Sequence, residues 1–285
     1  MTALPNVLRR GLPFAADPLS RLAMLTIIAL ATVGVIGPIL HLGGDPTAIG
    51  GPRLAPPGLE YPIGTDTLGR SLVPRVVEGI RATLIFASVA VLITAVIGTC
   101  IGTLAAYLGS VIDEIVVRFA DVLFSFPGML MALIVSAMVG PGSTSAVLAI
   151  ILITLPLMIR VARASTLRVA NRDFVVTARV GGASMPRILL VHLLPNIAGA
   201  MVVQATYALS VGMLIEGGIS FLGLGVQPPE SSLGSLLSQG KAYMTVAPWL
   251  VLGPGLILAL AILSVNLVGD GVRDAFQPKQ SQSLT

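Results

Sequence analysis

Residues that commonly do chemistry are few in this chain of 285 residues, and they lie far apart in sequence. A nucleotide-binding P-loop needs Gly-Lys followed by Ser or Thr. The two lysines lie instead in Gly240-Lys241-Ala242 and Pro278-Lys279-Gln280. His41 and His192 lie on different predicted loops and lack the spacing of metal ligands. The sequence therefore predicts no catalytic residue, bound cofactor or metal site.

Three further residues have side chains that react or ionise. Cys100 lies in a long apolar stretch and is predicted to be a small, buried packing residue. Asp121, three residues after Arg118, is predicted to form an ion pair at an interface. Glu216 lies beside Gly217-Gly218 near the end of an apolar stretch. Two interpretations stay open for Glu216: a cap or ion-pair partner at the outer interface, or a gating role in a translocation pathway.

The overall composition explains why such groups are sparse. The chain is 55% hydrophobic and 11% charged, with a mean hydropathy of +0.94, whereas about 25% of residues in soluble domains are charged. These values exclude a soluble domain and a disordered chain, and the single cysteine excludes an internal disulfide framework. The net charge is +4, but the basic residues form no stripe, so nucleic acid is not a predicted partner. The predicted environment is a lipid bilayer.

Uncharged stretches of about 20 residues predict the membrane-spanning helices. The stretch 122–159 is too long for one span, and Gly140-Pro141-Gly142-Ser143 within it is a turn signal, so two helices joined by a hairpin are predicted there. The fold class is therefore all-α, a polytopic membrane protein with six spans. They are predicted near residues 22–40, 82–108, 119–140, 144–160, 197–219 and 249–269.

The distribution of Lys and Arg predicts the orientation of these spans. With the N-terminus in the cytoplasm, twelve of the 17 basic residues fall in cytoplasmic segments and five fall outside. Both termini, residues 1–21 and 270–285, are therefore predicted to be cytoplasmic. The outer loop is 41–81, and a long inner loop covers 160–196.

The inner loop holds six of the 17 basic residues. Arg163–Val180 is predicted to be helical, Gly181-Gly182 breaks the helix, and Ser184 is a suitable N-cap for a second one. Leu194-Pro195-Asn196 predicts a turn into the fifth span. Two short helices joined at a glycine corner would form a stiff cytoplasmic protrusion. The alternative is a solvated basic loop beside anionic lipid.

This loop resembles the EAA-type loop in the permease subunits of bacterial binding-protein-dependent ABC importers. Alignment on the glycine of that motif places Gly182 there, and Val176 then replaces the acidic residue and Thr177 the first alanine. A salt bridge from the motif's glutamate cannot form, so the glycine corner and the short helix are expected to dock an ATPase subunit. The resemblance implies a coupling role for Val176, Thr177, Ala178, Gly181, Gly182, Leu194 and Pro195.

Several other stretches, in order along the chain, match a second family pattern. They are 62–70 with Gly79-Ile80-Arg81, then Arg118, Asp121 and Phe126-Pro127 followed by 140–142, then 220–229, and finally 266–275. These stretches resemble the "C" subunit of the peptide/nickel-type permease family. Two residues depart from that pattern: Ser71, where Asp is usual, and Leu233, where Trp is common.

The resemblance implies the fold of type I ABC importer permeases, in the bacterial inner membrane. It implies a homologous permease subunit as heterodimer partner, two ABC ATPase subunits that bind ATP and Mg²⁺, and an extracytoplasmic solute-binding protein. The mechanism would be alternating access, with short peptides as substrate; nickel complexes, glutathione and haem-like compounds are alternatives. Changing Gly182 to Asp is expected to abolish uptake and leave membrane insertion intact.

Two other classes of function are weaker. An ATP-independent channel or proton-coupled carrier would place carboxylates along a path, but charges inside the predicted spans are nearly absent. A membrane-bound enzyme would need a set of catalytic groups in one segment, and no Ser, His and Asp share one.

Overall fold

The computed structural model describes residues 18–276. Residues 1–17 and 277–285, with most of the predicted N-terminal segment and the end of the predicted tail, lie outside the described residues. Within 18–276 the structure has helices and no strands. Two isolated β-bridges are present, in which Ile49 pairs with Arg70 and Thr65 pairs with Ser71. The helices are α1 (Pro18–Ile39), α2 (Leu72–Leu108), α3 (Ser110–Ser125), α4 (Gly128–Val139), α5 (Ser143–Ala170), α6 (Asp173–Val180), α7 (Met185–Phe221), α8 (Leu233–Gly240) and α9 (Trp249–Phe276).

Five of these helices, α1, α2, α5, α7 and α9, are long and apolar enough to cross a membrane. Together, α3 and α4 supply a sixth crossing if the bent pair counts as one span. Helix α2 begins at Leu72 rather than near residue 82, and α5 continues to Ala170 rather than ending near residue 160. Both helices therefore extend well beyond the uncharged stretches that define the predicted spans.

The predicted span 119–140 is broken in the structure. Helices α3 and α4 meet at an angle of 90°. The break lies at Phe126-Pro127, where Phe126 has extended backbone angles of −80° and 133°. Proline disfavours helical angles in the residue before it, and it has no N–H to continue a helical ladder. The hairpin at 140–142 is present, since α4 ends at Val139 and α5 begins at Ser143.

The most extensive helix contact is between α2 and α5. Gly98 and Gly102 lie one turn apart on α2 and face α5, and a Cβ added at Gly102 would collide with the Ile159 carbonyl oxygen. Small residues four apart let membrane helices approach closely and pack by van der Waals contact. Cys100 is exposed on α2, so the prediction that it is buried is wrong. It lies midway between the two glycines and therefore on the opposite helix face.

Helix α7 runs without interruption from Met185 to Phe221, so the turn predicted at Leu194-Pro195-Asn196 is wrong. Residues Ile188–Leu193 form a π-helical turn just before Pro195. Wider turns of this kind, together with local side-chain bonds, let a proline lie inside a membrane helix. Here Asn196 Nδ2 donates to the His192 carbonyl oxygen at 2.7 Å.

The bundle has two ends that differ in construction. We call the end with residues 171–184 the corner end, because α5 finishes there, α6 lies across it and α7 begins. We call the opposite end, with residues 40–71 and 222–248, the loop end. Helix α9 is antiparallel to α7, as the contacts of Gly217 with Leu258 and of Ser210 with Asn266 show.

Candidate functional site

The corner end is built around a defined C-terminal cap on α6. The Ala183 N–H donates to the Ala178 carbonyl and the Gly182 N–H to the Arg179 carbonyl, at 3.0 and 3.1 Å. Gly182 has a φ of +77°, the left-handed conformation that closes a helix with this bonding pattern. An added Cβ at Gly182 would meet nothing within 4 Å. Glycine is therefore required there by the backbone angle rather than by space.

A small hydrophobic cluster fixes the corner to the bundle. Val175 on α6 is fully buried against Ile188 and Leu193 of the π-helical turn, with Tyr107 from the end of α2 beside them. The Arg179 guanidinium lies 5.3 Å from the centre of the Tyr107 ring, a distance at which a cation is attracted to an aromatic face. These contacts make α6 a rigid extension of α2, α5 and α7.

Several apolar side chains of α6 are exposed. Val176 is exposed, as is Phe174, and Val180 has 84% of its surface exposed. Five of the seven residues expected to couple, 176–178 with 181 and 182, lie together on α6 and its cap. Leu194 and Pro195 lie on α7 instead, where Leu194 packs against Met158 and Ile197 in the core of the bundle. The structure therefore separates these two from the glycine corner.

Ion pairs join α3 to α5 near the same end. Arg163 forms a bidentate ion pair with Asp113, in which its Nε and Nη2 donate to the two carboxylate oxygens at 2.5 and 2.6 Å. Asp121 forms an ion pair, but with Arg160 at 2.6 Å. Arg118 is 3.7 Å from Glu114 instead. Opposite charges therefore hold the first half of the bent pair against α5.

The loop end contains a fully buried carboxyl group, that of Glu216 on α7. Thr83 Oγ1 of α2 donates to Glu216 Oε2 at 2.8 Å, and Ser220 Oγ donates to Oε1 at 2.7 Å. The Thr83 oxygen also accepts the Leu233 N–H at the start of α8, at 3.2 Å. The carboxyl group thus connects α2, α7 and α8.

This environment excludes the interpretation of Glu216 as an exposed cap or ion-pair partner. No Lys or Arg within residues 18–276 forms an ion pair with it. Its oxygens are satisfied by hydroxyl groups, which lowers the penalty of burying a polar group. Ser220 Oγ also accepts the Val226 N–H at 3.2 Å, so the segment after α7 is attached to the same network.

A second buried network lies nearby, centred on Arg75. This residue is 3% exposed, and its guanidinium donates to Asp66 Oδ2 at 2.6 Å and to Gln239 Oε1 at 2.8 Å. Arg70 Nε reaches the same Asp66 oxygen at 2.6 Å. Burial alone would raise the pKa of Asp66, but hydrogen bonds from Arg70 and Leu68 and the charge of Arg75 outweigh it, so that its pKa lies below the ordinary value.

Arg75 and Gln239 are absent from the predicted site residues. The usable signal is an arginine in the first turns of a long apolar helix, nine residues after the aspartate of a turn. Gln239 is 164 positions away in sequence, and only the folded chain shows that it completes the network. Its role is to attach α8 to the start of α2.

Comparisons with known proteins agree with this architecture. Residues 98–282 match the family model described as "Binding-protein-dependent transport system inner membrane component". That match covers more than half of the chain. The chain belongs to this family. It is thus a multi-pass component of an inner membrane transport system, as the motifs predict, and its family implies ATPase and solute-binding partners in general.

Several relatives of this inner membrane component are named for peptide transport. The "Dipeptide transport system permease protein DppC" of Haemophilus influenzae is 34% identical over 88% of this chain and 81% of its own length. The "Di/tripeptide transport system permease protein DppC" of Pseudomonas aeruginosa is 38% identical over 76% of this chain and 72% of its own. The "Glutathione transport system permease protein GsiD" of Escherichia coli is 39% identical over 78% and 74%, respectively.

The fold of this transport component is also found in a solved structure. A chain of the MetNI methionine ABC transporter, in an inward-facing conformation, superposes with a TM-score of 0.59. The alignment covers 71% of this chain and 97% of the other at 20% identity. The predicted all-α fold of a type I ABC importer permease is therefore confirmed.

Proposed function

We propose that this chain is one of two permease subunits of an ATP-driven importer of short peptides. The peptide substrate is supported by the dipeptide and di/tripeptide names of relatives at 34% and 38% identity. The chain would form half of the pathway, and a homologous permease would form the other half. It would carry out no bond chemistry, because ATP and Mg²⁺ would be bound and ATP hydrolysed on two partner subunits.

The proposed orientation places the corner end in the cytoplasm. Arg172, Arg179 and Arg187 lie in or beside the corner, and an excess of basic residues is typical of cytoplasmic loops. The loop end would then face the solute-binding protein. Both termini of the chain would be cytoplasmic.

The observation that carries the proposal is the exposed, rigidly anchored α6. A short helix that Val175 anchors to the bundle and that ends in a cap at Gly182 can move as a rigid unit and pass the movement of a partner on to the bundle. It presents Val176 and Val180 to a partner. The expected salt-bridging acid is absent at Val176, so ATPase docking would rest on apolar contact and shape. Closure of the ATPase pair would move α6, and α5 and α7 would carry that movement through the membrane.

The hydroxyl-bound Glu216 would act at the other end of the same cycle. It holds α2, α7 and α8 as one unit, so that these helices would rock together when the corner moves. In this proposal Glu216 is a positioning residue at the outer end of the pathway, and it does not contact substrate.

Uptake in a purified system tests the proposal. The chain would be co-expressed with its partner permease, ATPases and binding protein, and the complex placed in liposomes. We expect uptake of a radiolabelled dipeptide that requires both ATP and the binding protein. Uptake without ATP would support a channel or carrier instead, and no dipeptide uptake by an active ATPase complex would refute the peptide substrate.

Glutathione is a second candidate substrate, since a relative named for its transport is 39% identical to this chain. It is itself a modified tripeptide with free charged ends. Competition by glutathione against the labelled dipeptide distinguishes the two substrates in the same liposomes.

A further inference from the structure

A cleft of about 290 Å³, lined by both apolar and polar surface, lies between α7 and the second half of α9. Its floor is the contact between the two helices, where a Cβ added at Gly269 would come within 2.9 Å of Thr206 Oγ1. Small-ligand pockets measure about 300–1,000 Å³, so this cleft suits a very small ligand. Its polar lining residues are Gln204, Thr206, Tyr207, Asn266, Asp270 and Arg273.

Such side chains are uncommon on helices that are long and apolar enough to span a membrane. Polar and ionisable side chains in membrane helices face the bundle interior or a water-filled cavity, because lipid does not solvate them. Four of the six, at positions 204, 206, 207 and 266, lie within the predicted spans and line this cleft, and Asp270 and Arg273 follow directly after the predicted end of the last span. The arrangement therefore marks a water-accessible surface, distinct from both the corner and the Glu216 network.

Much of the hydrogen-bonding capacity of the cleft is unused. The side-chain oxygen Oδ1 of Asn266 accepts from Ser210 Oγ at 2.7 Å, which orients the side-chain amide and leaves its NH₂ group free to donate. Within residues 18–276, the side chains of Gln204, Tyr207, Asp270 and Arg273 have neither a hydrogen bond nor an ion pair. Such groups can bind a polar ligand without first breaking a bond inside the protein.

The charges in the cleft specify the ligand class. Asp270 and Arg273 are three positions apart on α9, and residues at this spacing lie on one helix face. They offer one negative and one positive group beside uncharged amide and hydroxyl groups. A zwitterion with internal amides, such as a short peptide with free ends, complements this set.

We propose that the cleft is a transient contact site for the transported peptide, with Arg273 meeting its carboxylate and Asp270 its ammonium group. This inference rests on the proposed function and adds a location and a charge pattern to it. Binding at a transport site must be weak enough to allow release, and a shallow cleft with two charged contacts meets that need.

A thermodynamic cycle tests the carboxylate contact in the complete complex in liposomes. Dipeptide uptake by the wild type is established first, and its absence would refute the proposed function rather than the cleft. Uptake of a dipeptide and of its C-terminal amide is then measured at saturating binding protein, for wild type and Arg273→Gln. We expect about a tenfold loss of dipeptide uptake in the variant, the size of one charge-assisted hydrogen bond, and little change for the amide. Equal losses for both substrates would overturn the contact.

Asp270→Asn provides the reciprocal test, with an N-acetylated dipeptide as the insensitive substrate. Arg118→Gln removes the same charge from an exposed position on α3, outside both the cleft and the glycine corner, and we expect it to leave uptake of both substrates unaffected. If neither cleft variant assembles, photolabelling of the wild-type complex with a benzoylphenylalanine dipeptide decides the matter. Labels on α7 and α9 that unlabelled dipeptide displaces support the site. Labels confined to other helices, or to the interface with the partner permease, refute it.

Discussion

The two ends of this permease hold their helices together by different means. At the loop end, Glu216 and Arg75 are buried and bonded to groups from distant parts of the chain. At the corner end, one buried valine and a glycine-closed turn hold a helix whose other apolar residues are exposed. The Glu216 and Arg75 networks bond to partners within the chain, whereas the corner end presents an apolar surface that a partner can cover.

This difference predicts that substitutions at the two ends affect different properties: folding stability at the loop end and coupling to the ATPase subunits at the corner end. A buried polar network tolerates little change, because removing one member leaves the others unpaired at low dielectric. An exposed apolar surface on a rigid support contributes little to folding, and substitutions there act mainly on association. Variants at the loop end should therefore affect folding, and variants at the corner should affect assembly and ATP coupling.

The largest effect is expected for Arg75→Met. Asp66 and Gln239 would lose their shared partner inside the protein, and breaking a buried ion pair costs about 3–5 kcal/mol. Thermal unfolding in detergent measures this loss. Arg118→Met is the control, since Arg118 and Glu114 are 76% and 70% exposed and such pairs contribute about 0–1 kcal/mol. Equal unfolding temperatures for the two variants would contradict the assigned role of the loop end.

Glu216→Leu should have the next largest effect. The Thr83 and Ser220 hydroxyls would lose their acceptor, and an unsatisfied buried group costs about 1–3 kcal/mol. Glu216→Gln keeps an acceptor for Ser220 and should be milder. The same unfolding assay orders the two variants, and a glutamine variant as unstable as the leucine variant would show that the charge, rather than the bonding, is needed.

Gly182→Val should act on the corner with little effect on the bundle. A β-branched residue in the left-handed region is strained by roughly 1–3 kcal/mol, whereas Asn tolerates that region. We expect ATP-driven uptake to fall about tenfold in the valine variant and to remain near wild type in Gly182→Asn, with equal amounts inserted in the membrane. Equal activity of the two variants would show that the backbone angle at Gly182 is unimportant.

The smallest effect concerns pH. Since the pKa of folded Asp66 lies below its ordinary value of 3.8, its ionised form stabilises the fold fully above the pKa of the unfolded chain. That contribution is lost as pH falls through the lower, folded pKa. Between pH 5 and pH 3 the wild type should therefore lose more stability than Asp66→Asn, as followed by thermal unfolding. An identical pH response would remove Asp66 from the account of the loop end.

The sequence alone predicts the features that local chemistry determines. The membrane helices, the hairpin at 140–142 and the glycine corner follow from apolar stretches and turn residues. Proline is less predictable, because its effect depends on neighbours. Pro127 breaks a span, but Pro38, Pro156 and Pro254 lie inside helices, and Pro195 is accommodated by the π-helical turn before it. Tertiary contacts decide between these outcomes.

Pairings between residues that are distant in sequence cannot be predicted from the sequence, because they too depend on tertiary contacts. Thr83 and Glu216 are 133 positions apart, so the sequence around Glu216 shows an acidic residue but not the Thr83 hydroxyl group that donates to it. The residues predicted to couple to the ATPase also fall into a locally determined group and a group whose position depends on tertiary contacts. The turn chemistry of 181–182 is local and is predicted correctly, whereas the position of Leu194 and Pro195 depends on how α7 passes the end of α5.

Association of the ATPase subunits with the corner is the measurement that tests the coupling role of α6. Affinity would be measured for the wild type, for Val180→Asp, and for Leu59→Asp as a fully exposed control at the loop end, where Leu59 is 107% exposed. We expect Val180→Asp to weaken ATPase binding at least about tenfold and Leu59→Asp to leave it unchanged, with both variants unfolding like the wild type. Unchanged ATPase binding by Val180→Asp would contradict the coupling role of α6.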